Sequence, residues 1–211
     1  MGVLIRGLDL SAVVRAGNAV QSSFLFTLGQ KMDSVGEPRV VGDPRVDGTY
    51  DFATLAVRLL SSRASPDIDV LVGVVDVEIF DELFSAIDEN SKCIIVSIDN
   101  IEDILRRTNA SYTGYILVEI AAQLLTIALR RTMKDVVKPE DCGPPWHQET
   151  KACLFDYSEK RDHTGKKLIE MSVCDACEAA FSAANIPASV KDACMATLCF
   201  VHRMSWARAM N

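Results

Sequence analysis

The stretch Asp69-Val-Leu-Val-Gly-Val-Val-Asp-Val77 decides the fold. It is almost continuously apolar and mostly β-branched, the composition of a strand covered on both faces. Residues 92–98, Lys-Cys-Ile-Ile-Val-Ser-Ile, have the same character and predict a second buried strand. Before them, Phe52, Leu55, Ala56, Leu59 and Leu60 fall at helical spacing over residues 52–60. After them, residues 112–137 predict the longest helix, closed by Pro139 and Gly143-Pro144-Pro145. That helix is apolar on nearly every face from Ile116 to Leu129, so it belongs under the sheet. Strands alternating with helices predict an α/β fold with a mixed, mostly parallel twisted sheet of about four or five strands. Residues 69–77 stand near its centre, backed by helices 52–60 and 112–137.

Outward from this centre the signals are shorter. Residues 3–8 and 22–28 suit strands, and 33–49 read as a Gly- and Pro-rich loop with a short strand at 39–41. Residues 78–87 predict a helical turn or two, and 100–107 a short helix. Pro187 opens a final helix in which Val190, Cys194, Leu198, Val201 and Met204 share a face. The division expected is an α/β unit over 1–140, with a metal-binding segment and terminal helix over 141–211 packed on it.

The net charge of −7 and pI near 5.0 leave no basic stripe to neutralise phosphates, which argues against nucleic acid as a partner. The pairs Arg106/Arg107 and Arg130/Arg131 read as solvated helix ends. Seven cysteines without a leader-like N-terminus predict reduced thiols and a cytoplasmic location. Residues 110–129 have the length of a membrane span, but Glu119 and Gln123 in their middle make insertion costly, so no membrane is expected.

One constellation carries specific chemistry: His147-Gln-Glu-Thr-Lys-Ala-Cys153, followed by Cys174-Asp-Ala-Cys177. A Cys-x-x-Cys pair can place both thiolates on one ion, and Cys153 with His147 would complete a tetrahedral zinc shell. Cys142 is the rival fourth ligand. The plainer alternative makes these cysteines small apolar residues of the core and a helix start. His163 reads as a solvated loop residue, His202 as a histidine of the last helix, and Cys93, Cys194 and Cys199 as core. Glu119, on a buried helix, needs a proton or a partner, with Arg58, Arg63 or a backbone N–H as candidates.

Three features together resemble the archaemetzincins, small zinc proteases of the metzincin class. Asp69 to Phe80 is similar to their strand motif ending in Asp, an acidic residue and an aromatic. The central helix carries Glu119 where active relatives carry His-Glu-x-x-His, and the tail has Cys153 and then Cys174-x-x-Cys177 at a similar distance, 21 positions on. The resemblance implies a zincin-like fold and a zinc-binding tail. It also places Glu119 on the general-base position, with Val118 and Ala122 where two zinc-binding histidines would stand. Neither can ligate a metal. His147 lies 28 positions beyond Glu119, well past the third histidine of that family, and Gln148 occupies the position of its first tail cysteine.

Three functions follow as expectations. One is a catalytically inactive zincin-like protein holding one structural zinc through His147, Cys153, Cys174 and Cys177, acting by protein–protein interaction, with a prokaryotic, defence-type multi-gene system as the setting expected. Another is a zinc-dependent metallopeptidase with non-standard ligands, using Glu119. The third is a zinc-stapled subunit of a larger assembly or homo-oligomer. The hydrophobic content of 49% and mean hydropathy of +0.14 favour an interaction surface.

Overall fold

The computed structural model describes residues 2–4, 10–19, 45–61, 70–80, 84–88, 93–128, 152–156 and 161–209. The elements within them are β1 (Gly2–Leu4), α1 (Leu10–Ala19), α2 (Phe52–Ser61), β2 (Leu71–Val75), β3 (Ser85–Asp88), β4 (Cys93–Ser97), α3 (Glu102–Thr108), α4 (Tyr112–Ala128), α5 (Arg161–Glu170), α6 (Asp175–Ala183) and α7 (Ala188–Ala209). The sheet runs β1-β2-β4-β3, parallel except for β3. This is the mixed α/β architecture expected, with the deciding stretch forming an interior strand.

The period-two geometry of a strand explains how an apolar run serves two cores. Val72, Val74, Ile94 and Val96 project into the larger core with α4, while Leu71, Val75, Cys93 and Ile95 project into a smaller one with α2. At Gly73, between the two sets facing α2, the side chain of Leu59 occupies the space where a Cβ would stand, 2.6 Å from Leu59 Cδ2. α2 therefore seats directly on β2.

α4 begins at a capped turn, where the Ser111 hydroxyl accepts the Gly114 N–H at 3.0 Å. Its buried residues run from Gly114 to Thr126 with few gaps, as the apolar composition requires. Tyr115 crosses to the sheet and donates to the Ser97 carbonyl at 2.8 Å. α7 lies against α4, with Cys194, Leu198 and Val201 in the larger core. Residues from both halves of the chain, Val72 through Phe181 and Val201, share that core.

Several expectations change. Residues 78–87, read as helical turns, contain β3 from Ser85 onward, because Ala86 and Ile87 gain ladder bonds opposite Ile95 and Ile94 that a helix would forgo. Earlier in the same stretch, Ile79 forms an isolated bridge with Tyr50. Within the polar segment 158–167, where His163 reads as a loop residue, the residues from Arg161 onward belong to α5, whose sparse apolar residues, Leu168 among them, are enough to dock it. Cys199, assigned to the core, is exposed, since it projects from α7 away from the face of Leu198 and Val201. The expected strands 22–28 and 39–41, and the helix beyond Ala128, fall outside the described residues. Among those residues no single helix is long and apolar enough to cross a membrane; α3 and α4, which would pass such a test together, meet at 97°.

Candidate metal centre

Cys153, Cys174 and Cys177 converge, with their sulfur atoms all within 4.8 Å of one another. Cys153 and Cys177 stand 3.8 Å apart. Sulfurs bound tetrahedrally to zinc at about 2.3 Å lie roughly 3.8 Å from each other, whereas a disulfide requires about 2.05 Å. The spacing fits a shared ion. Among the described residues this is the group of His, Cys, Asp and Glu able to hold one. His147 and Cys142, the two candidates for the fourth position, lie outside the described residues.

Local structure brings the thiols together. Leu154 N–H donates to the Ser172 carbonyl at 2.7 Å, and Ser172 Oγ donates to Ala152 O at 3.3 Å, so the turn at Cys153 pairs with the segment leading to Cys174. Cys174 then caps α6, with Cys177 in its first turn. Ala152 and Met171 flank the pairing with φ of 58° and 46°. Left-handed backbone costs a side-chain-bearing residue roughly 1–2 kcal/mol, so the surrounding contacts must hold both residues in place. Asp156 folds back beneath the turn, its Oδ2 accepting the Cys153 N–H at 3.1 Å while its own N–H donates to Cys153 O at 3.0 Å. Phe155 packs edge-on to Phe181 at 5.3 Å, closing the apolar side.

The electrostatics favour a cation here. Backbone N–H groups of Phe155 and Cys174 point at the Cys153 sulfur, at 3.5 and 3.3 Å, an arrangement that stabilises a thiolate. The Cys153 thiol beside it, then burial, push the Cys177 thiol well above the ordinary cysteine range. Three thiolates held this close would repel one another, and a soft divalent ion among them would offset that charge. Cys194, by contrast, is a plain core thiol pushed up to about 12 by burial.

Glu119 sits elsewhere on the interior, on α4. It accepts a short hydrogen bond from the Ser85 hydroxyl, and Ser85 Oγ in turn accepts from Gln123 Nε2 at 2.8 Å. The side chains of Arg58 and Arg63, its expected partners, are outside the described residues. Val118 and Ala122 are buried in the apolar core on either side of it in the helix sequence. His163 lies in α5 rather than in a loop, with Nδ1 buried and no hydrogen-bond partner among the described residues.

Lys167 is the functional candidate that sequence reasoning passed over. It is half-buried on α5, and burial draws its ammonium pKa below the usual lysine range against the opposing pull of Glu119, Asp156 and Cys153. The available signal was its place beside Leu168 in a segment otherwise too polar to suggest packing. No protein-family model, curated protein or solved structure matches the chain.

Proposed function

We propose that this chain is a catalytically inactive, zincin-like protein in which one structural zinc staples the C-terminal segment to the α/β core, leaving a surface that works by binding another protein subunit or a second copy. The observation that carries this reading is the division of labour between two interior places. The residues flanking Glu119 in the resembling motif, Val118 and Ala122, are buried apolar side chains, while metal-ligand chemistry gathers at Cys153, Cys174 and Cys177. A hydrolytic zinc site needs three protein ligands, an open position for water and a carboxylate beside it. Glu119 supplies only the carboxylate, and it is engaged with Ser85.

The zinc shell is completed by His147, the imidazole nearest Cys153 in sequence. Bound there, the ion would hold the turn at Cys153 and the start of α6 together. Exposed Val57 and Phe80, the latter under the Arg45 guanidinium at 3.6 Å from the ring centroid, offer apolar surface of the kind interfaces use. The experiment is elemental analysis of the purified chain joined to a peptidase assay. One zinc per chain, lost together with a large part of the thermal stability in Cys174→Ser, and no peptide hydrolysis, is the expected result. Two zincs, or hydrolysis abolished by Glu119→Gln at unchanged Tm, would make it an enzyme.

A further inference from the structure

The three cysteines of the metal centre do not meet solvent equally. Cys153 and Cys177 are fully buried, while Cys174 is half-buried and is followed by exposed Asp175 and Ala176. An oxidant from solution therefore reaches Cys174 first. Cys174 is the N-cap residue of α6, with extended backbone, and Cys177 stands in the first turn of the same helix. Side chains three positions apart share a helix face, and these two sulfurs lie within 4.8 Å of each other. Closing that gap to the roughly 2.05 Å of a disulfide is a movement of side chains at one helix start. Cys153 belongs to a different segment, and its sulfur accepts the N–H groups of Phe155 and Cys174 at 3.5 and 3.3 Å. Those bonds hold it in place as a ligand, although it stands 3.8 Å from Cys177. The accessible sulfur and its helix partner are thus the two placed to react together.

We propose that Cys174-x-x-Cys177 is a redox latch on the staple, opened by a peroxide: oxidation links the two cysteines and removes two of the ligands that hold the ion. This rests on the metal-staple reading above. The Cys174 thiolate attacks one peroxide oxygen; an S–O bond forms, the O–O bond breaks and hydroxide leaves, giving a sulfenic acid. The Cys177 thiolate then attacks that sulfur; the S–S bond forms, the S–O bond breaks and a second hydroxide leaves. The two sulfurs together give up two electrons and the peroxide takes them. Each hydroxide is neutralised by solvent. The thiolate is the form that binds a metal, so the linked pair no longer serves as ligand. Cys153 and His147 remain, too few for the four-coordinate shell of a structural site. A dithiol reductant regenerates both thiolates and closes the latch.

The test treats the zinc-loaded full chain with hydrogen peroxide, reading zinc release with a chromophoric chelator and the linked cysteines by peptide mass spectrometry. The expected result is zinc released in step with a Cys174–Cys177 disulfide, one ion for each, with both changes reversed by dithiothreitol and added zinc. Cys199→Ser, which removes the exposed thiol of α7, should release zinc at the same peroxide concentration. Four results overturn the inference and leave the staple standing: zinc retained under peroxide, zinc released with Cys174 still a thiol or with Cys153 and Cys177 linked instead, release that dithiothreitol cannot reverse, or release lost in Cys199→Ser. A wild-type chain that binds no zinc overturns both.

Discussion

Asp76 and Asp99 follow β2 and β4, and because those strands run parallel both carboxylates arrive at one end of the sheet, beside Glu102 at the start of α3. Desolvation, then the charges of Asp99 and Glu102, raise the Asp76 pKa. Glu102 moves the opposite way, held down by the Tyr112 hydroxyl that donates to it at 2.7 Å. A carboxyl whose folded pKa is raised binds its proton more tightly folded than unfolded, so its effect on stability becomes unfavourable as pH rises from the ordinary Asp range through the raised value. Asp76→Asn should therefore stabilise the fold at neutral pH, by less than about 1 kcal/mol because the side chain is exposed and water screens it, and raise Tm slightly. The gain should disappear in acid, where the wild-type carboxyl is protonated in both states. A melting series across that range, showing instead a neutral-pH loss for Asp76→Asn, would mean the carboxylate is paired favourably. At this scale the converging cysteines were legible, since Cys-x-x-Cys spacing is itself a chemical statement, whereas the bond from Ser85 to Glu119 was not, because nothing in the local sequence of either shows which group a fold will bring to it.

Helix α4 meets α7 at a glycine. A Cβ built on Gly114 would lie 3.0 Å from Val201 Cγ1 and 3.3 Å from Ser111 Oγ, so the two helices approach as closely as a missing side chain permits. Gly114→Leu should force them apart and cost roughly 1–3 kcal/mol, the range for overpacking a filled core. Urea denaturation would measure it, and a shift within error would mean that α7 can slide without loss. The apolar runs of β2, β4 and α4 announced themselves, because burial on every side leaves no room for polar residues. β3 and α5 did not. Four residues are too few to show a period, and β3 is a strand because β4 offers its edge. α5 is a helix with little apolar surface, docked on α3 through Gly165, whose absent Cβ leaves the Thr108 and Ile104 methyls 3.4 and 3.6 Å away.

Across the whole molecule one hydrophobic core takes side chains from the sheet, α4, the cysteine turn, α6 and α7, and an ion pair of Lys191 with Glu178 ties α7 to α6. Removing an ion held at Cys153, Cys174 and Cys177 would therefore loosen more than the turn. Chelation of the purified chain should lower Tm in a single cooperative transition, because the cysteine segment and the sheet share that core. Two separate transitions would show that residues 141–211 unfold as an independent unit. The amino-acid sequence by itself determined the α/β class, the interior place of β2, the central apolar helix and the Cys174-x-x-Cys177 pair, because hydrophobic period and close residue spacing are local properties that survive any arrangement of the rest. Only the tertiary structure decided that Cys174 and Cys177 meet Cys153, and that the Ser85 hydroxyl engages Glu119. Those are long-range juxtapositions, set by which faces the core buries together, and no window along the chain contains them.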